Sequence, residues 1–338
     1  MLDERLALRA ARLVMPTRTA DPEAARALRA AVKADMPAID AAARTWSELG
    51  ADLASTHCRV VSRPGWVRAN LAGLRGALDP VADKLGQRSK LASKVLGIQL
   101  GSLLGLLSTK VLGQFVLPLG SAGGGQLVVV GPNLLELAEE HGPLARDIHR
   151  TILLHEVTHR LQFDAVDWLG GHLRSLVASY LQETKVDPQR LTEMGARLPE
   201  LIGELRRTGS ITPIVEALMT ERQIEVLDQA QGLMSLLEGH GTAAMYGATA
   251  GVVDDPVGVR AALSNRPADA TTKILTAVAG LEKKKSQYRL GEAFVSEVVE
   301  SAGIAGLNQA FLSPSGLPST DEVAEPGIWL ARMGLTAP

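Results

Sequence analysis

The chain has 338 residues, enough to bury a sizeable core as one large domain or as two lobes. Its 35 basic and 37 acidic residues leave a net charge of −2, so we expect no nucleic-acid binding. Hydrophobic residues make up 46% but aromatic residues only 3%, so the core must be built from Ala, Leu and Val, which favours closely packed helices.

The first third of the chain reads as helical. Alanine-rich amphipathic patterns predict helices over residues 2–14, 22–53 and 64–86. Asp21 followed by Pro22 is a good helix start, because the acid can cap the helix and proline suits its first turn. The N-terminus is charged and lacks the apolar core of a signal peptide, which indicates a cytoplasmic protein. The single cysteine, Cys58, has no partner for an internal disulfide, and no constellation supports a catalytic thiol.

Residues 95–109 carry no charge and contain Gly97, Gly101 and Gly105 at intervals of four. The segment is shorter than the roughly 20 residues needed to cross a bilayer, so we expect a buried core helix and no stable membrane insertion. Its glycines would suit close packing against the helix of the motif described below. A peripheral membrane protein docking through residues 95–119 is a lower-ranked alternative.

Residues 126–130 contain four consecutive apolar residues between turn signals and predict a short strand. The glycines just before it lack the lysine and the following helix of a phosphate-binding loop. We expect a helical lobe over residues 1–118 and a catalytic lobe over 119–338, packed as one unit.

The stretch His155-Glu156-Val157-Thr158-His159 carries the chemistry of this chain. Residues 155 and 159 lie one turn apart on a helix, so both imidazoles can reach one metal ion. Glu156 can then act as a general base toward a water molecule whose pKa a zinc ion has lowered to roughly 7. Five apolar neighbours between 152 and 161 indicate a buried helix, and burying such a polar set calls for a compensating metal.

This stretch resembles the zincin metallopeptidase signature, except that Arg160 stands where an uncharged residue is usual. The metzincin subclass is excluded, because Gln162 and Ala165 occupy its glycine and third-histidine positions. A gluzincin arrangement, with a glutamate from a later helix, remains. The resemblance implies an edge strand beside the active-site helix that can pair with an extended substrate, for which residues 126–130 are the candidate.

A catalytic zinc needs a third protein ligand. Glu183 is one candidate, but its polar surroundings favour a solvated helix end. We prefer Glu238, which follows an apolar run and is flanked by glycines that allow close backbone approach. His240 would then stabilise the oxyanion or support the site indirectly, or would itself be the third ligand.

The resemblance becomes closer when the C-terminal third is included. The combination of His155 to His159, Leu236 to His240, Gln287-Tyr288 and Trp329 is similar to the zincin-like hydrolases of actinobacteria, some of which are linked to deazaflavin cofactor biosynthesis. This resemblance implies a mainly α, zincin-like metallopeptidase fold with a short β element next to the active-site helix. Zincins often supply a phenol or imidazole to the oxyanion, which makes Tyr288 a candidate, although packing against Phe294 explains it equally well.

The leading hypothesis is therefore a zinc-dependent, metallopeptidase-like hydrolase acting on a peptide or amide bond. His155, His159 and Glu238 would hold Zn²⁺, and Glu156 would be the general base. The main alternative is a catalytically silent, metal-stabilised helical protein that binds a partner, which Arg160 motivates. The oligomeric state does not follow from the sequence.

Overall fold

A computed structural model of the chain describes residues 3–16, 21–86, 90–120, 124–182, 221–264 and 285–335. The helices in this part are α1 (Glu4–Val14), α2 (Pro22–Ser47), α3 (Arg63–Gly86), α4 (Lys90–Leu107), α5 (Gly131–His141), α6 (Ala145–Ala165), α7 (Asp167–Gln182), α8 (Glu221–Gly247), α9 (Pro256–Ser264), α10 (Lys285–Asn308), α11 (Thr320–Ala324) and α12 (Pro326–Arg332). The strands are β1 (Cys58–Val61), β2 (Gly113–Val116) and β3 (Gln126–Val130). The predicted class, mainly α with a short β element, is confirmed.

The chain groups into two compact units by its internal contacts. The first comprises Met1–Gly171 and His240–Ala270, and the second comprises His172–Gly239 and Thr271–Pro338. The boundary between lobes that the sequence suggested at residue 118 stays a prediction. No helix in the described ranges is both long and apolar enough to cross a membrane.

The sheet belongs to the first unit and has the strand order β1-β3-β2. β3 pairs in parallel with β1 and antiparallel with β2, so it is the central strand. This position explains its four consecutive buried apolar residues, because a central strand is covered on both faces. The predicted strand at residues 126–130 is therefore confirmed, but its predicted place at the edge is wrong. The edge strands are β1 and β2.

Alternation along the strands gives the sheet two different faces. Cys58 and Val60 of β1, Leu127 and Val129 of β3, and Phe115 of β2 point to one face, where they join a buried apolar cluster that includes residues of α2 and α6. The other face contains Arg59, Val61, Gln126 and Val128 and meets α3. The helix with the histidine motif thus packs on the apolar face only.

The glycine stripe of α4 packs against α1. A Cβ atom built on Gly97 would lie 3.1 Å from the carbonyl oxygen of Asp3, and one on Gly105 would lie 2.6 Å from that of Ala11. Gly101 faces Ala7 even more closely. The expected close helix packing is present, but its predicted partner is wrong, because α1 and not the motif helix fills the glycine groove.

The second unit has its own apolar core. Within it, Gly239 of α8 and Gly291 of α10 allow the two helices to approach closely. Phe294 packs edge-on against Trp329 with ring centroids 5.5 Å apart, and the Trp329 indole N–H donates to the carbonyl of Gly316 at 2.8 Å. Trp329 lies on the short helix α12.

Candidate metal centre

The motif lies in the middle of α6, where every residue from 151 to 159 is buried. The hydroxyls of Thr151 and Thr158 each donate at 2.8 Å to the carbonyl four residues earlier, at Asp147 and Leu154, so these buried polar groups are satisfied within the helix. Apolar residues of α6 fill the core on both sides of the motif. The helix therefore holds the motif rigidly in a dry environment.

The two histidines converge on one point. The Nε2 atoms of His155 and His159 lie 3.0 Å apart, with the rings nearly perpendicular at an interplanar angle of 85°. Two ligand atoms of a tetrahedral zinc ion with bonds of about 2.0–2.1 Å would be roughly 3.3 Å apart. The imidazoles are thus already close to the spacing that a shared ion needs.

Gln162, one turn after His159, fixes the proton on that ring. The Oε1 atom of Gln162 lies 2.9 Å from Nδ1 of His159, and an amide oxygen can only accept, so Nδ1 carries the proton. In the neutral ring the lone pair of Nε2 then points toward His155. This is the tautomer that binds a metal through Nε2.

The same side chain contacts a third histidine. The Nε2 atom of Gln162 donates at 2.9 Å to Nδ1 of His240 on α8. His240 is completely buried and stacks obliquely on Trp46, with centroids 5.4 Å apart. Burial and the nearby His159 lower the pKa of His240 to about 3, so the ring is neutral. Of its predicted roles, the indirect one fits this geometry, because Gln162 stands between His240 and His159.

Helix α8 also presents Glu238. Gly241 of α8 faces the two motif histidines, and a Cβ atom there would lie 3.0 Å from His155 and 3.2 Å from His159. Ligand atoms of His155, His159 and Glu238 all lie within 4.8 Å of one another, and all three residues are buried. Among the described residues, this set of three could hold a metal ion.

The donor set suits zinc. Two imidazole nitrogens and one carboxylate oxygen are the protein ligands of many catalytic zinc sites, which leave a fourth position open. Burying an anionic carboxylate beside two imidazoles is costly without a compensating cation. The residues present therefore fit a zinc ion, with no rearrangement of the helix.

Glu156 lies beside this cluster and outside it. Its Oε2 atom accepts a hydrogen bond of 3.0 Å from the backbone N–H of Phe115 in β2. A Cβ atom on Gly113 would lie 2.6 Å from Cγ of Glu156, so only glycine fits there. β2 is thus the strand next to Glu156, a position that the sequence had suggested for residues 126–130.

Cys58 lies on the same face of the sheet. Burial, together with the negative charge of Glu156, raises the pKa of its thiol to about 12. The thiol therefore stays protonated near neutral pH and is a poor nucleophile.

Arg160, the departure from the zincin signature, points into a structural cluster. Its Nη1 donates to Oγ1 of Thr56 at 2.5 Å, its Nη2 to the carbonyl of Ala54 at 2.8 Å, and its Nε to Asp164 at 3.0 Å. Asp40 of α2 is 3.8 Å away. Arg160 therefore links the segment before β1 to α6. Its hydrogen bonds stabilise the fold.

Two sequence candidates cannot be placed. Glu183 and the side chain of Tyr288 lie outside the described residues. Conversely, the sequence missed Gln162 and Phe115 as parts of the site. The signal for Gln162 was its position three residues after His159, on the same helix face. Phe115 contributes its backbone N–H, so its residue type could not indicate this role.

An active-site helix with convergent histidines and an adjacent glutamate, packed on a small mixed sheet in a mainly helical protein, defines a zincin-like class of protein. The chain belongs to the zincin-like metallopeptidase family, whose model matches residues 2–330.

The fold is similar to that of a crystal structure from Chloroflexus aurantiacus described as "a putative hydrolase with a novel fold". The TM-score is 0.75 at 27% sequence identity, over 99% of each chain. A comparison with curated proteins gave no match. The link to actinobacterial deazaflavin biosynthesis stays a prediction.

Proposed function

We propose that the protein is a zinc-dependent hydrolase of peptide or amide bonds. The observation that carries the proposal is the pair of Nε2 atoms 3.0 Å apart on α6, with Glu156 next to them and Glu238 in the same cluster. His155, His159 and Glu238 would be the zinc ligands. Bound zinc would supply a Lewis acid that lowers the pKa of water and polarises the scissile carbonyl.

Glu156 would handle the proton in this reaction. Only 3% of the residue is exposed, so its carboxylate is shielded from bulk solvent. It would accept a proton from the attacking water and return it to the leaving nitrogen. The Phe115 N–H would hold the carboxylate in place between these two transfers.

The edge of β2 that points away from β3, where the Phe115 N–H donates to Glu156, is the proposed docking site for the substrate backbone. The N–H of Val130 donates to the carbonyl of Leu112, so these two residues form a hydrogen-bonded pair. Along an antiparallel ladder, such pairs alternate with pairs that are not hydrogen-bonded to each other. In the register that pairs Gln114 with Val128, the backbone groups of Gly113 and Phe115 therefore point away from β3. This is the edge on which Glu156 lies, so an extended peptide added there would pass the base.

The test is the variant Glu156→Gln, assayed for metal content and for turnover of a peptide library by mass spectrometry. We expect about one zinc per chain in both wild type and variant, and a loss of turnover of about 10²–10⁴-fold in the variant. Glu297→Gln, an exposed glutamate on α10, is the control and should change neither quantity. Equal turnover in Glu156→Gln and wild type would refute the proposed base.

The burial of the cluster favours one other function, that of a metal-stabilised binding protein without catalysis. No residue of the cluster is more than 8% exposed, so a long peptide needs local opening to reach it. In that case chelation would lower the melting temperature, while the peptide library would show no zinc-dependent turnover. The same library assay therefore separates the two functions.

A further inference from the structure

A cavity of about 330 Å³ lies on the face of the sheet opposite the metal centre. Its walls come from two strands and one helix of the first unit. Arg59 and Val61 of β1 and Gln126 and Val128 of β3 form the sheet wall, and Gly65, Arg68 and Ala69 form the helical wall, with Ser62 at the turn between β1 and α3.

The spacing of the lining residues follows the regular geometry of the two strands and the helix. Residues two apart on a strand share one face of a sheet, and residues three and four apart share one face of a helix. In the parallel register Arg59 is opposite Val128, so the two strands contribute neighbouring positions. A cavity of this size holds a small organic molecule.

The lining is chemically divided. Val61, Val128, Gly65 and Ala69 supply an apolar floor, whereas Arg59, Arg68, Ser62 and Gln126 supply polar groups. Two of these side chains are cations, and none of the lining residues is acidic. A ligand with an apolar body and an anionic group would match both parts.

The two arginines differ in their interaction partners. Nη1 of Arg59 donates at 2.9 Å to Oε1 of Gln126, which restrains the guanidinium at the sheet wall. Within the described ranges, Arg68 has no acidic partner. By contrast, the neighbouring Arg63 is neutralised by Glu136 at 2.7 Å and also donates to Asn133. The positive charge at this cavity is therefore uncompensated by the lining.

We infer that this cavity binds a small organic anion, a carboxylate or a phosphate on an apolar body. Arg68 and Arg59 bind the anionic group, and Ala69 with Val128 contacts the apolar part. Guanidinium groups form charge-assisted, often bidentate hydrogen bonds to both kinds of anion. The site is separate from the metal centre, since the strand residues that contact the core of α6 lie on the other face.

The experiment is a calorimetric titration of the full chain with phenylphosphonate and, separately, with benzoate, which distinguishes a phosphate-like from a carboxylate ligand. Inorganic phosphate and benzyl alcohol test the anionic and apolar parts alone. We expect one of the two aromatic anions to bind once per chain and more tightly than either part. Arg68→Ala should weaken binding about tenfold or more, as expected for the loss of a charge-assisted hydrogen bond.

A second variant removes space and keeps charge. Ala69→Leu fills the cavity from the helical wall and should abolish binding, while Arg29→Ala, an exposed arginine on α2, should bind as the wild type does. Because these anions can also bind zinc, the titration is repeated with His159→Ala, in which binding at the cavity should persist. That result is independent of whether the protein is a hydrolase.

The inference is overturned if neither aromatic anion binds the wild-type chain at millimolar concentration. It is equally overturned if Arg68→Ala and Ala69→Leu bind as tightly as wild type, or if binding disappears in His159→Ala.

Discussion

Helix α6 carries two polar clusters that differ in what they need from the rest of the chain. To the metal cluster α6 contributes His155 and His159, which are buried beside Glu156, and the cost of burying them is offset by the cation that they and Glu238 can share. The anchor cluster consists of Arg160 and Asp164, and it is satisfied by protein groups of the segment before β1. Neighbouring polar residues on one helix thus have separate roles. One set can bind a metal ion, and the other stabilises the fold. Substitutions in the metal cluster should therefore change metal content, and substitutions in the anchor cluster should change stability.

The largest effect is expected from removing a ligand of the metal cluster. His159→Ala and Glu238→Ala should each reduce the bound zinc from about one ion per chain toward background, because three protein ligands are the usual minimum for a catalytic site. Turnover should disappear with the metal. Metal analysis after gel filtration measures the first quantity, and the peptide library measures the second.

The control for these variants is His172→Ala, a partly buried histidine on α7 that lies outside the cluster. Retention of zinc by Glu238→Ala together with its loss in His240→Ala would reassign the third ligand to His240.

Removing the anchor should affect stability and spare the metal. Arg160→Leu keeps much of the side-chain volume but loses the donors to Thr56 and Ala54, which we expect to cost about 2 kcal/mol in the free energy of unfolding. Zinc content at low temperature should remain about one ion per chain. Denaturant unfolding of the zinc-loaded protein measures the change.

Arg146→Ala is the matched control, since Arg146 is on the same helix but its side chain is 65% exposed. It should change stability much less than Arg160→Leu. Loss of zinc in Arg160→Leu at temperatures where the chain is folded would show that the two clusters are coupled.

Gln162 connects the metal cluster to His240, so its replacement should weaken the metal site without removing a ligand. Gln162→Ala should lower zinc affinity about 10–100-fold, the usual effect of losing a group that orients a ligating histidine. Competition with a chelator measures the affinity. Nitrogen NMR of His159 should show a mixed tautomer in the variant and the Nδ1–H form in the wild type.

Gln162→Glu separates the two bonds of this side chain, because it keeps an acceptor for His159 and loses the donor to His240. It should retain the Nδ1–H tautomer. An unchanged tautomer in Gln162→Ala would exclude the proposed positioning role.

The smallest effect is expected at Asp164, the other member of the anchor cluster. Its pair with Arg160 spans one turn and Asp164 is partly exposed, so Asp164→Ala should cost only about 0.5 kcal/mol. Denaturant unfolding with closely spaced points resolves this difference. A cost as large as that of Arg160→Leu would mean that the anchor depends on the ion pair and not on the loop contacts.

The sequence was most informative where function depends on spacing within one helix. Residues 155 and 159 reach the same point because four residues make about one turn, and this holds in any fold. Glu238 was found from its apolar surroundings and its flanking glycines. The structure adds the reason for Gly241, whose missing side chain leaves room for the two imidazoles.

Prediction was weaker where a residue depends on long-range partners. β1 and β2 have four residues each, too few to show a clear alternation, and their existence depends on pairing with β3. The glycines of α4 indicated a close contact with another helix, but they did not identify α1 as that helix. Gln162 was noted only as the wrong residue for a metzincin, because one of its two partners, His240, is 78 positions away in the sequence.

By itself, the sequence determined a buried histidine helix able to bind zinc, a mainly helical fold and a short apolar strand, since these follow from local periodicity and composition. Only the tertiary structure decided that Arg160 serves folding, that β2 and not β3 borders Glu156, and that two arginines line one cavity on the other face of the sheet. These features depend on strand order and on contacts between distant segments. Such contacts are fixed by packing, which local patterns do not encode.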